Sequence, residues 1–293
     1  MRTLPVHLFL LLWLSACGPK ELVSDQPIEC ERCADWNEPH EPFRVYGNTW
    51  YVGTDGLSSI LIESDEGLVL IDGGLPQSAT LIDANIRALG FDPADIEAIL
   101  VSHAHFDHVG GVAALQQLSG AIVYTSPAGS EALANGTLTE DDPQYDPDSG
   151  DGDFPQVTEV VAVGDGEVVS VGPLDVKAVH TPGHTPGSIT WTWQSCALNT
   201  CYDVVYADSM SAVSAPGFQF GSSGTADTMI ESAGIIGELD CDILLSPHPF
   251  FFGMHDKLER RDQGNPFVSE FACVFYAESA LDWLERRLDA ERH

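Results

Sequence analysis

The chain is predicted to be an α/β protein in which sheets are sandwiched between helix layers. Strand-like and helix-like segments alternate along it in two successive sets, the pattern of layered α/β architecture. Hydrophobic residues make up 44% of the 293 positions, ample for a large core. No Ser/Gly-rich linker divides the sequence, so residues 46–293 read as one domain.

Strands are expected at Trp50–Val52, Leu57–Ile62 and Leu68–Ile71, punctuated by Gly56 and Glu66-Gly67. Pro76–Leu89 has apolar residues at 81, 82, 86 and 89 and Gly90 just beyond, a helix with its stop signal. Strand Ile96–Val101 and helix Val112–Leu118 follow, then strand Ala121–Tyr124 and a short helix over Pro127–Ala134. The Asp-rich run Asp141–Asp153, with two Pro and two Gly, is expected to be an exposed loop. Strands resume at Glu167–Val171, Leu174–Val179, Ser188–Trp193 and Asp203–Tyr206. Helices are expected over Thr228–Leu239 and Phe267–Leu288.

The chemistry concentrates after the strand Ile96–Val101, in Ser102-His103-Ala104-His105-Phe106-Asp107-His108. His103 and His105 are two apart, so extended backbone projects both to one side. Asp107 and His108 follow where the chain turns, and Gly110-Gly111 supports a tight bend. Imidazole and carboxylate are ligands that zinc favours. So short a loop does not easily deliver all four to one ion, and two adjacent metals completed by distant residues is the more economical reading. His184, in His180-Thr181-Pro182-Gly183-His184-Thr185-Pro186-Gly187-Ser188, and His248, in Leu244-Leu245-Ser246-Pro247-His248-Pro249, each follow a predicted strand, where open α/β sheets place their sites.

These motifs, with Asp72-Gly73-Gly74, Thr190-Trp191-Thr192-Trp193, Tyr206-Ala207-Asp208-Ser209-Met210-Ser211-Ala212 and Ala215-Pro216-Gly217, resemble the metallo-β-lactamase superfamily, and within it the class B, subclass 3 enzymes. The likeness runs from about Asn48 to about Cys273. It implies a four-layer αββα sandwich and a catalytic domain over 46–293. It further implies zinc-dependent hydrolysis of the β-lactam amide of penicillins, cephalosporins or carbapenems by a metal-bound hydroxide.

The resemblance assigns His103, His105 and His184 to a first Zn2+ ion and Asp107, His108 and His248 to a second, with Asp107 also catalytic. Ser209 and Ser211 take positions that face the second metal and the substrate carboxylate. His180 is expected to be a structural strand-end residue. The competing activities are those of a lactonase or thioesterase, whose bridging Asp comes from the region of Asp208, and a zinc-binding periplasmic protein without turnover. A ligating Asp208 would favour the former.

The chain has 12 Lys+Arg against 45 Asp+Glu, a net charge of -33, which argues against nucleic acid or an anionic membrane surface as partner. The expected partner is a small-molecule β-lactam, met by a monomeric catalytic domain. Residues 1–16 read as an export signal: Arg2 supplies a positive charge, and Leu8–Leu14 is an apolar run too short to span a bilayer. It ends in Leu14-Ser15-Ala16-Cys17, which resembles the bacterial lipobox and implies a periplasmic protein anchored by lipid at Cys17 to the outer membrane. Residues 17–45, polar and Pro- and Glu-rich, read as an N-terminal tether.

Six Cys remain after Cys17, enough for three disulfides in an exported chain. The resemblance implies a Cys241–Cys273 bridge. Cys196 and Cys201 flank four residues and suit a hairpin staple. Cys30-x-x-Cys33 is open to a structural disulfide, a redox pair or metal binding.

Overall fold

The computed structural model of the protein describes residues 20–147 and 152–293. The signal segment and Cys17 lie outside the described residues. Short helix α1 (Cys33–Trp36) leads into strands β1 (Phe43–Tyr46), β2 (Thr49–Tyr51), β3 (Ile60–Ser64) and β4 (Gly67–Ile71). Helix α2 (Ala79–Ala88), strand β5 (Ile96–Leu100), helices α3 (Phe106–Val109) and α4 (Val112–Ser119), strand β6 (Ile122–Thr125), helix α5 (Pro127–Asn135) and strand β7 (Val160–Ala162) complete the first half. The second half holds β8 (Val168–Val171), β9 (Leu174–His180), β10 (Ile189–Ala197), β11 (Thr200–Tyr206), α6 (Phe220–Ser223), α7 (Thr225–Glu238), β12 (Ile243–Leu245), α8 (Met254–Leu258) and α9 (Ala272–Glu291).

Strands β1 to β7 form one sheet in sequence order; the other runs β12-β11-β10-β9-β8. Side-chain alternation explains the layers. Ile60 and Ile62 of β3, Val69 and Ile71 of β4, and Ala98 and Leu100 of β5 pack with Val176, Ala178, Trp191, Trp193 and Val205 of the second sheet. The residues between them, Leu61, Leu68, Leu70 and Ile99, face the opposite way onto Ile82 and Ile86 of α2 and Leu115 of α4. Helices α7 and α9 cover the second sheet through Met229, Ile236, Tyr276 and Leu284. The four-layer sandwich is therefore present. Strands β4 and β5 pair in parallel and are buried on both faces over Leu68–Ile71 and Ala98–Leu100, which is why those stretches read as apolar runs, with exposed Glu97 the one interruption in β5.

Several expectations change. Residues 20–45 are not a free tether. Gln77 of the domain exchanges hydrogen bonds with Ile28 N and O, at 3.1 and 2.9 Å, Thr54 Oγ1 donates to Trp36 O at 2.6 Å, and β1 joins the first sheet. The Asp-rich run is not wholly exposed: Asp142 and Pro143 are buried. The last helix begins at Ala272 rather than Phe267, whose ring is buried in the core. Gly110 and Gly111 are needed for close approach rather than for an unusual φ. A Cβ would meet Pro76 Cδ at 2.3 Å from Gly110 and Gly73 O at 2.3 Å from Gly111.

The structure pairs Cys30–Cys33, Cys196–Cys201 and Cys241–Cys273. The second closes the β10–β11 hairpin, and the third ties the α7–β12 connection, two residues before β12, to α9. Among the described residues no helix is long and apolar enough to cross a membrane.

Candidate metal centre

Strand β5 delivers the first motif to the edge where the two sheets meet. Its exit is fixed by Asp72, whose carboxylate accepts from Ser102 N at 2.8 Å, Ser102 Oγ at 2.7 Å and Tyr206 OH at 2.7 Å. Asp72 sits at φ 58, a conformation that Asp tolerates better than most residues, and these three bonds hold it there. Burial pushes its carboxyl pKa up. His103 and His105 follow, His105 in extended backbone, and the helical turn α3 then presents Asp107 and His108.

The six expected ligands come together as two clusters in one cleft. His103, His105 and His184 offer one donor atom each within 4.8 Å of one another, and so do Asp107, His108 and His248. The His103 and His108 rings, one from each cluster, are 4.3 Å apart.

Hydrogen bonds select which ring nitrogen is free. His103 Nδ1 donates to Asp208 Oδ1 at 2.7 Å, leaving Nε2 buried and unpartnered. His105 Nε2 donates to Asp142 at 3.2 Å, leaving Nδ1. His184 Nδ1 donates to Ser211 O at 2.8 Å and His248 Nδ1 to Gly56 O at 3.2 Å, leaving Nε2 of both. Asp107 Oδ2 lies 3.2 Å from His108 Nε2 and 3.5 Å from His248 Nε2. A buried imidazole nitrogen with no partner is costly in an apoprotein. Three nitrogens in one cluster and two nitrogens with a carboxylate oxygen in the other suit zinc with open positions remaining. The residues fit a pair of metal ions. Gln144 Nε2 donates to His105 Nδ1 at 3.2 Å and must release that atom on metal loading.

The electrostatics suit neutral imidazoles at His103, His184 and His248. Burial, then the neighbouring His105, lowers the His184 pKa to about 3. Burial and His108 lower His248 to about 4. Burial also holds His103 well below its ordinary range. Burial opposes charge on His108 and Asp107 too, but each overcomes it through the other: His108 is raised and Asp107 lowered. Burial raises Asp208 to about 7.

Asp208 belongs to neither donor cluster among the described residues; it backs His103 instead. His180 ends β9 with Nε2 3.1 Å from Val163 O, a structural role as expected. Ser211 lines the cleft, whereas Ser209 is buried with its hydroxyl unpartnered. The sequence reading missed Asp142, Gly56, Trp36 and Arg32. The cleft, about 510 Å³, is lined by Arg32 and Trp36 of the N-terminal segment and by Phe250, Phe251 and Trp283. The Trp36 ring lies 5.4 Å from the His248 ring.

Two sheets with a pair of buried His-rich metal clusters at their shared edge define a metal-dependent hydrolase. A family model described as the Metallo-beta-lactamase superfamily matches residues 52–248, and the chain belongs to that superfamily. In structure it is similar to Rm3 metallo-beta-lactamase, with 45% identity, a TM-score of 0.87, and coverage of 91% of this chain and 100% of that one. It is also similar to MEM-A1, a subclass B3 metallo-beta-lactamase isolated from a soil metagenome library, at 43% identity and a TM-score of 0.85 over 88% and 99% of the two chains. In sequence it is 28% identical over 223 residues to the probable metallo-hydrolase YqgX of Bacillus subtilis, 72% of this chain and 92% of that protein. It is 28% identical over 155 residues to an N-acyl homoserine lactonase of a Bacillus species, 43% of this chain and 54% of that protein.

Proposed function

We propose that the protein hydrolyses the amide bond of β-lactams with two zinc ions, one held by His103, His105 and His184 and the other by Asp107, His108 and His248. The observation that carries this reading is the pair of complementary donor clusters facing a single cleft. Bound zinc supplies Lewis acidity toward the lactam carbonyl and brings the pKa of water to about 7. The chain's own residues do the rest. Asp208, Asp142, Ser211 O and Gly56 O hold protons on the outward ring nitrogens and so keep the inward ones as lone pairs. Asp107 stays ionised and orients at the second cluster.

Trp36, Phe250, Phe251 and Trp283 make an apolar wall that excludes water from the bound substrate. Ser211 and Arg32 are the groups suited to meet the substrate carboxylate; Arg32 places a cation at the rim of an otherwise acidic protein. Ser209 lies beneath that surface and suits a positioning role.

The lactonase-like alternative is disfavoured because Asp208 is committed to His103. We further propose export with lipid anchoring at Cys17 and a monomeric catalytic domain, both on the sequence alone. A chromogenic cephalosporin assay tests the central claim. Hydrolysis should be lost to a chelator and return with zinc, with about two ions bound per chain at full activity. Turnover of an acyl-homoserine lactone or thioester, with no β-lactam hydrolysis, would overturn it.

A further inference from the structure

A second group of metal-ligating side chains lies outside the cleft. His40 precedes β1, Asp55 lies in the β2–β3 loop, and His255 stands in α8. Their donor atoms fall within 4.8 Å of one another, and His255 Nε2 is 3.7 Å from Asp55 Oδ2. His40 Nδ1 donates to Glu41 O at 2.8 Å, which leaves Nε2 with the lone pair. Phe43 and Tyr51 meet the His40 ring edge-on, each at 5.7 Å between centroids, and restrict its orientation. Asp55 N donates to Glu38 O at 2.8 Å, fixing the loop to the N-terminal segment. Two imidazoles and a carboxylate from three separate stretches of chain are the donor set of a zinc-type site. Closing 4.8 Å to the roughly 3.4 Å between ligand atoms of tetrahedral zinc needs only side-chain rotation, and His255 is 54% exposed and free to make it.

We propose that His40, Asp55 and His255 bind a third divalent transition-metal ion, zinc in the first instance, exposed to solvent on one side. The three segments it would join all bear on His248. The N-terminal segment sets Trp36 against the His248 ring, with 5.4 Å between centroids and the rings tilted by 46°. Gly56, next to Asp55, accepts from His248 Nδ1, and Ser58 N donates to Pro247 O at 2.8 Å. Helix α8 continues the Pro249–Phe252 turn that follows His248. A metal ion here staples the support of the second catalytic cluster from outside the cleft.

The test uses the purified full chain equilibrated with increasing free zinc, read by bound metal and by melting temperature. Wild type should take up about three zinc ions and melt higher as the third binds. His255→Ala and Asp55→Asn should each stop at about two and show no rise in melting temperature beyond them. His184→Ala, weakened in the cleft, should keep the extra ion. No third equivalent in wild type, or a third equivalent retained by both His255→Ala and Asp55→Asn, overturns the site. If His255→Ala fails to fold, Asp55→Asn and His40→Gln decide the question. Metal counts and melting read the site without turnover, so failure on β-lactams and failure here are separate results.

Discussion

His103, His105 and His184 lie in the loops that follow β5 and β9, are all buried, and are each backed by a hydrogen-bond acceptor. Asp107, His108 and His248 occupy a helical turn and a loop; the His248 side chain is 12% exposed, and His108 Nδ1 has no partner. Both clusters serve one cleft, but every imidazole of the first has a hydrogen-bond acceptor on its outward nitrogen, whereas in the second only His248 does. Such outward partners fix a ring's orientation and raise its basicity as a ligand. The first ion should therefore be bound more tightly, and the second should depend on residues far from it in sequence.

The largest test of this difference removes a ligand from each side. His184→Ala should empty mainly the first cluster and His248→Ala mainly the second, each costing at least ~10²-fold in kcat/KM, the scale of lost electrostatic stabilisation. Metal analysis at limiting zinc should show His248→Ala retaining one tightly held ion and His184→Ala a weakly held one. Equal affinity of the remaining ion in both variants would remove the distinction.

A smaller effect is expected from the supports. Asp208→Asn should weaken the first ion by ~10–100-fold, the usual cost of disturbing a ligand's hydrogen-bond partner, and leave the second in place. Trp36→Ala should do the reverse more mildly, loosening His248 and raising KM as the apolar wall is lost. Metal titration of the two variants side by side reads the contrast; a Trp36→Ala protein that loses the first ion would contradict it.

The smallest effect is the pH dependence of the metal-free protein. His184 and His248 titrate near 3 and 4 when folded, and an unfolded His near 6.5. Below about 6.5 the unfolded chain binds more protons, so stability present above that pH is lost as pH falls toward about 4. His108 is raised and works the other way, which offsets His248 within the second cluster. The melting temperature without metal should fall over that window, and His184→Ala should flatten the fall more than His248→Ala does.

Most of the first cluster was legible from residues alone. The His-x-His spacing on extended backbone and the position of each His after an apolar run follow from strand periodicity, a local property. The layered fold was legible for the same reason: alternation on β3, β4 and β5 writes both core faces into the sequence. Strands β1 and β7, short and with exposed residues, carried too little pattern to be read.

Other features had no local signal. Asp142 looks like its acidic neighbours, and only the tertiary approach of His105 distinguishes it; burial pushes its carboxyl up, and the imidazole, prevailing, draws it down. Gly56 serves through a carbonyl, which every residue has. Trp36 and Arg32 lie in a segment whose composition matches a linker, and they reach the cleft because that segment docks.

The sequence by itself determined the donor types, their spacing, the two-sheet architecture and the acidity of the surface, because these depend on side-chain chemistry and on periods of two to four residues. Tertiary structure alone decided which nitrogen of each histidine is free, that Asp208 supports rather than ligates, that Gly110 and Gly111 serve close packing, and that the N-terminal segment forms one wall of the cleft. Each of those rests on a contact between residues tens to hundreds of positions apart. Such a contact exists only once the core has folded and brought the strand ends and loops to the same edge.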